Sequence, residues 1–191
     1  MSRDGSIDLE LGASTYRFRL AIGDLEALQE ETGIGAPEHL HRLYVSENAC
    51  FRHVRAILRT ALIGGGMGVS EAHEVARGLD DMPAVRAIAV AALVIGAGLQ
   101  GAEDEPLPHR ASKKDDTPPL PDGKMAFGTF YEAAAAMQLP SADMRRMSLW
   151  QFAAYVAGFN KAQNPDKPDP LSDQEEDALW DWLNEPMVGA A

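Results

Sequence analysis

The chain has 191 residues, 46% of them apolar and 7% aromatic, with a formal charge of −12. That is length for one ordinary domain or two small ones, with enough apolar material for a core; scarce aromatics and abundant alanine favour packed helices over a sheet. The acidity argues against DNA, RNA or anionic lipid as partners, since affinity for those comes mainly from basic side chains meeting phosphates.

Residues 101–191 hold 8 basic and 16 acidic side chains, against 9 and 13 in residues 1–100, so the second half carries most of the excess. Cys50 is the only cysteine, which rules out an intrachain disulfide. The opening MSRDGSIDLE has no apolar stretch of signal-peptide length. The best membrane candidate, Ala87–Leu99, is 13 residues long, where a span needs roughly 20. It reads as a buried helix, and the expected location is the cytoplasm.

Ile7, Leu9 and Leu11 alternate with polar residues, as do Tyr16, Phe18 and Leu20, with Gly12-Ala13-Ser14 between. This is a β-hairpin pattern, with Arg17 and Arg19 opposite Asp8 and Glu10 on the outer face. After Gly23 the period becomes helical: Leu25 and Leu28 lead to a stop at Thr32-Gly33. Pro37 opens a helix with Leu40, Leu43 and Tyr44 on one side. Ser46 can cap a third helix, whose positions Cys50, Phe51, Val54, Ile57, Leu58, Ala61 and Leu62 form one apolar face. Arg52, Arg55 and Arg59 fall opposite, as a solvated or partner-facing surface.

That helix runs into LIGGGMG at 62–68. A phosphate loop needs a lysine and a hydroxyl after its glycines, and a dinucleotide loop needs a preceding strand. Neither is present, so the run reads as a helix end before a short helix capped by Ser70. Asp80-Asp81-Met82-Pro83 breaks the chain, and the alanine-rich helix to Leu99 follows.

Residues 101–123 contain five prolines and many charged side chains with no apolar period, the composition of a flexible linker. Beyond it, Phe127, Phe130, Tyr131, Ala134 and Met137 outline one helix. Ser148-Leu149-Trp150-Gln151 is a capping box for a second, running to about Gln163. Ser172-Asp173-Gln174-Glu175 is another capping box, for a third helix carrying Leu171, Ala178, Leu179, Trp182 and Leu183. The predicted fold is mainly α: an N-terminal β-hairpin packed on a small helical bundle (1–100), a flexible linker (101–123), then a small three-helix unit (124–191).

No catalytic, cofactor or metal constellation emerges. His39 and His41 diverge by about 200° on a helix, and histidines in such scattered positions read as surface residues. Cys50, on an apolar face, reads as a buried inert thiol. The acids at 173–177 lack calcium-loop spacing and suit a helix start. What stands out is apolar surface on 147–163, more than a small unit readily buries. Trp150, Tyr155 and Phe159, with Trp180 pointing away from its own helix's stripe, are the candidate partner-binding residues.

DLELGASTYRFRLAIGDLEALQEETGI at 8–34, followed by RTALIGGGMGVSEA at 59–72, resembles the small tail protein of gene transfer agents and related long-tailed phages. That family is described both as tail assembly chaperones and as tail tube proteins. MSLWQFAAYVAGFNKA at 147–162 resembles a second small phage tail assembly chaperone family. The resemblance implies a non-enzymatic chaperone whose first unit binds the tape measure protein and whose second recruits tail tube protein, with self-association as a further contact. It also implies action in the bacterial host and absence from the mature virion. The alternative is a structural tail tube or minor tail protein of the virion. Tube subunits are usually built on substantial β-sandwich sheets, and this sequence offers one hairpin.

Overall fold

The computed structural model describes residues 2–12, 14–45, 49–79, 82–101 and 119–163. Strands β1 (Ser6–Leu11) and β2 (Ser14–Arg19) pair antiparallel, and helices α1 (Ile22–Thr32), α2 (Ala36–Tyr44), α3 (Phe51–Gly64), α4 (Val69–Gly78) and α5 (Ala84–Gln100) follow. A 3-10 turn at Pro121–Gly123 precedes α6 (Phe127–Ala136), α7 (Ser141–Arg146) and α8 (Leu149–Gln163). The architecture is the mainly helical one expected, with a hairpin lying on helices.

The alternation in the hairpin works as a period-2 pattern should. Phe18 and Leu20 are fully buried, while Ile7, Leu9 and Tyr16 pack at the margin of the core. Asp8 stands opposite Arg17 and accepts two bonds from its guanidinium, at 2.8 and 3.0 Å. Arg19 does not meet Glu10. The register sets it opposite Ser6, and its guanidinium donates to the carbonyls of Asp4 and Arg146.

α1 turns Ile22, Leu25 and Leu28 into the core and stops at Gly33, whose φ of 73° is the left-handed conformation that favours glycine. Its start is held by Asp24, which accepts the Ala21 N–H at 2.8 Å. α2 begins with Pro37 in its first turn and buries Ala36, His39 and Leu43. Tyr44, expected beside Leu43, is the last helical residue, and its ring stands 75% exposed.

α3 buries Val54, Ile57, Leu58, Ala61 and Leu62, as its period requires. It starts at Phe51, so Cys50 falls at the cap position and is exposed rather than buried. Ser46 and Asp80-Asp81 lie outside the described residues. α4 starts two residues earlier than expected: Gly68 occupies the cap position, and Ser70 is an exposed first-turn residue rather than a cap. α5 follows Pro83 and is buried along Ala87, Val90, Ala91, Val94 and Ile95. No described helix is long and apolar enough to cross a membrane.

The glycine run does more than end α3. A Cβ at Gly64 would collide with the carbonyl oxygen of Arg19, and one at Gly65 with that of Arg17. The two missing side chains let the β2 backbone lie directly on the helix end.

The last part of the proline-rich stretch is anchored. The Gly35 N–H donates to the Asp122 carbonyl at 3.1 Å. Gly123 sits so close to Glu38 that a Cβ there would come within 2.6 Å of the Glu38 Cβ. The helices beyond it join the same apolar cluster through Phe127, Ala134, Met144 and Phe152. Polar bonds fix them against α1. The Ile22 N–H donates to the Met147 carbonyl at 2.9 Å. The Gln29 side chain donates to the Met125 carbonyl at 3.1 Å and accepts its N–H at 2.7 Å. The Tyr131 hydroxyl donates to the Glu26 carboxylate at 2.9 Å. Neither α7 nor these ties had a sequence signal, and the helix expected after Ser172 lies outside the described residues.

Candidate partner-binding surface

α8 is positioned by the capping box that its sequence announces. Ser148 Oγ accepts the Gln151 N–H at 3.0 Å, and Gln151 Oε1 accepts the Ser148 N–H at 3.0 Å. The same hydroxyl donates to the Arg3 carbonyl at 2.6 Å and is almost wholly buried, so the start of α8 is moored to the N-terminal segment. One turn on, Phe152 enters the core, with its ring 5.4 Å from Phe130, itself 5.7 Å from Phe127.

The candidate aromatics divide. Trp150 is half-buried against Gly101, where an added Cβ would stand 2.7 Å from its ring, and the Arg3 guanidinium lies 5.8 Å from the ring centroid. Its ring serves the fold from within. Tyr155 is 46% exposed and Phe159 half-buried. Four residues apart, these two share one helix face, whereas Trp150 lies about 180° round the helix from Phe159. Trp180 lies outside the described residues. The structure therefore brings together two of the four.

A second apolar surface had no sequence signal. Val85, Ala89 and Leu93 lie at helical spacing on α5; Val85 is 79% and Leu93 46% exposed. Nearly every α5 position is apolar, so no periodicity marks which side faces out. A groove of about 470 Å³ opens between the hairpin tip and the α4–α5 junction, lined by Leu11, Tyr16, Val75, Leu79, Met82 and Arg86 among others.

The polar groups show structural uses. His39 is buried, not at the surface. Its ring meets Thr32 Oγ1 at 2.9 Å and stands edge-on to His53 with centroids 5.3 Å apart. Burial, then the nearby His53 and Arg42 charges, lower its pKa to about 4. The spacing Ala36, His39, Leu43 marks the buried face of α2 and was the available signal. His41 is exposed, so the two rings of the H-x-H pair part company. Burial raises the pKa of Asp24, against its bond to the Ala21 N–H and the Arg19 and Arg145 charges. Arg59 pairs with Glu31, and Arg52 stays exposed. Among the described residues, no group of three or more His, Cys, Asp or Glu side chains is placed to hold a metal ion.

No curated protein and no solved structure gives a significant match to this chain. A protein-family comparison does: residues 4–101, spanning the hairpin, all of α1–α5 and the glycine-rich end of α3, match the family described as phage tail tube protein, GTA-gp10. The match takes in just over half of the chain, and the protein belongs to this family of phage and gene transfer agent tail proteins.

Proposed function

We propose that this protein works without catalysis, by contact with tail tube subunits, and that its place is in the tail tube. The observation that carries this is the family match over residues 4–101. The face of α8 with exposed Tyr155 and half-buried Phe159, on a helix whose start is moored, supports a contact role, since rigid aromatic anchors dominate interface energetics.

A second reading keeps the partner and changes the timing. The protein would be a tail assembly chaperone that binds the tape measure protein, recruits tube subunits in the host cytoplasm and is absent from the virion. The described residues favour it in one respect: their only sheet has two strands, less than a tube subunit usually carries.

Quantitative mass spectrometry of purified particles separates the two. A tube constituent is present in copy numbers comparable with the main tube protein. A chaperone is found with soluble tube subunits and tape measure protein in lysate and is missing from particles. Absence from both overturns both readings. In the full chain, the Tyr155→Ala and Phe159→Ala changes together are expected to weaken capture of tube subunits at least tenfold while leaving the melting temperature nearly unchanged. Undiminished capture would remove α8 from the interface.

A further inference from the structure

A two-stranded sheet has two outer edges, and here they differ. On β2 the carbonyls of Arg17 and Arg19 meet the end of α3 at Gly65 and Gly64, so these residues turn their main chain away from β1. Antiparallel alternation then turns the main chain of Ser6, Asp8 and Glu10 outward on β1, because they stand opposite Arg19, Arg17 and Thr15. Two further observations agree. Leu11 and Ser14 flank a two-residue connection, which closes on a hydrogen-bonded pair and so directs the Leu11 main chain inward. The outward Ser6 N–H is taken by Asp4 Oδ1 at 3.0 Å. Beyond Ser6 the edge is bare. Among the described residues, no main-chain bond from outside the hairpin reaches Asp8 or Glu10, and both are exposed.

We propose that the outer edge of β1 is a strand-addition site for an extended segment of a partner protein with basic residues at alternate positions. Main-chain bonds to Asp8 and Glu10 would supply the pairing, as in other edge-strand recognition. The side chains set the chemistry of the added strand. Asp8 and Glu10 face solvent; Asp8 is already bonded to Arg17, so Glu10 is the acid that most favours a lysine or arginine beside it, while Ile7 and Leu9 face inward and favour apolar neighbours. A second copy of β1 is a poor occupant, because it would set Asp8 and Glu10 against their own kind, and acidic edges of this sort block self-pairing. The inference rests on the hairpin geometry and goes beyond the tail reading.

The test uses the full chain and two synthetic octapeptides, one alternating valine and lysine, the other valine and glutamate. Amide exchange is followed by NMR. In the free chain the Asp8 and Glu10 amides exchange at least tenfold faster than those of Ile7 and Leu9. The valine–lysine peptide slows them at least tenfold, and the valine–glutamate peptide does not. Glu10→Pro removes an outward donor without touching the ladder and weakens binding at least tenfold. Glu10→Lys keeps every backbone donor and reduces the preference for the basic peptide. Four results would overturn the proposal: protection of the Asp8 and Glu10 amides in the free chain, unchanged exchange with the basic peptide, equal response to both peptides, or full binding by E10P with the hairpin intact.

Discussion

Two helix ends abut the hairpin region, and they are closed by opposite means. The C-terminal end of α3 meets β2 through absent side chains, with Gly64 and Gly65 letting backbone lie on backbone. The N-terminal end of α8 meets the segment before β1 through a side chain present, with Ser148 bonded to both Gln151 and Arg3. A steric closure fails abruptly when a methyl group is added. A polar closure fails by degrees, because water can replace part of what is lost. A third junction, where α2 crosses from α1 to α3, is closed by the buried His39 against Thr32 and His53, and it depends on protonation.

These differences order the expected effects. Gly65→Ala or Gly64→Ala is expected to cost about 3 kcal/mol, because the clash is with backbone carbonyls that have no rotamer to escape into. Gly68→Ala, four positions on and with open space around it, should stay within about 0.5 kcal/mol. Urea unfolding of the three variants measures this, and equal losses would break the steric account. Next comes pH. His39 binds a proton near pH 4 when folded and near 6.5 when unfolded, so the unfolded chain holds more protons between those values. Stability from this group is complete above about pH 7 and falls as the pH drops through that window, by about 2 kcal/mol from pH 7.5 to pH 5. The H39Q chain should lack this component of the pH profile. Ser148→Ala is expected to cost about 1.5 kcal/mol by losing the cap and the bond to the Arg3 carbonyl. A loss as large as that of G65A would erase the contrast between the two closures.

The sequence revealed features whose causes are local. The hairpin alternates with period 2, Gly33 stops α1, and Ser148 and Gln151 stand at capping-box spacing; each involves residues within a few positions of one another. Features set by distant partners were not readable. Nothing near LIGGGMG says that Arg17 and Arg19 will press on it. Trp150, Tyr155 and Phe159 look equivalent in sequence, and only the position of Gly101 decides that Trp150 turns inward. Cys50 and Ser70 were misplaced because each helix boundary moved by a residue or more, and a boundary shift carries a side chain from one environment to another.

The bond from Ser148 to Arg3 joins positions 145 residues apart. At synthesis rates of about 5–20 residues per second, the ribosome makes the second partner roughly ten seconds after the first. The Ile22 amide waits about as long for the Met147 carbonyl. During that interval the hairpin can form and settle on α3, but the segment leading into β1 lacks its bond to Ser148 and α1 lacks the contact that α7 brings. The first strand described is fastened at the start of the last helix described, so its attachment records how far translation has run.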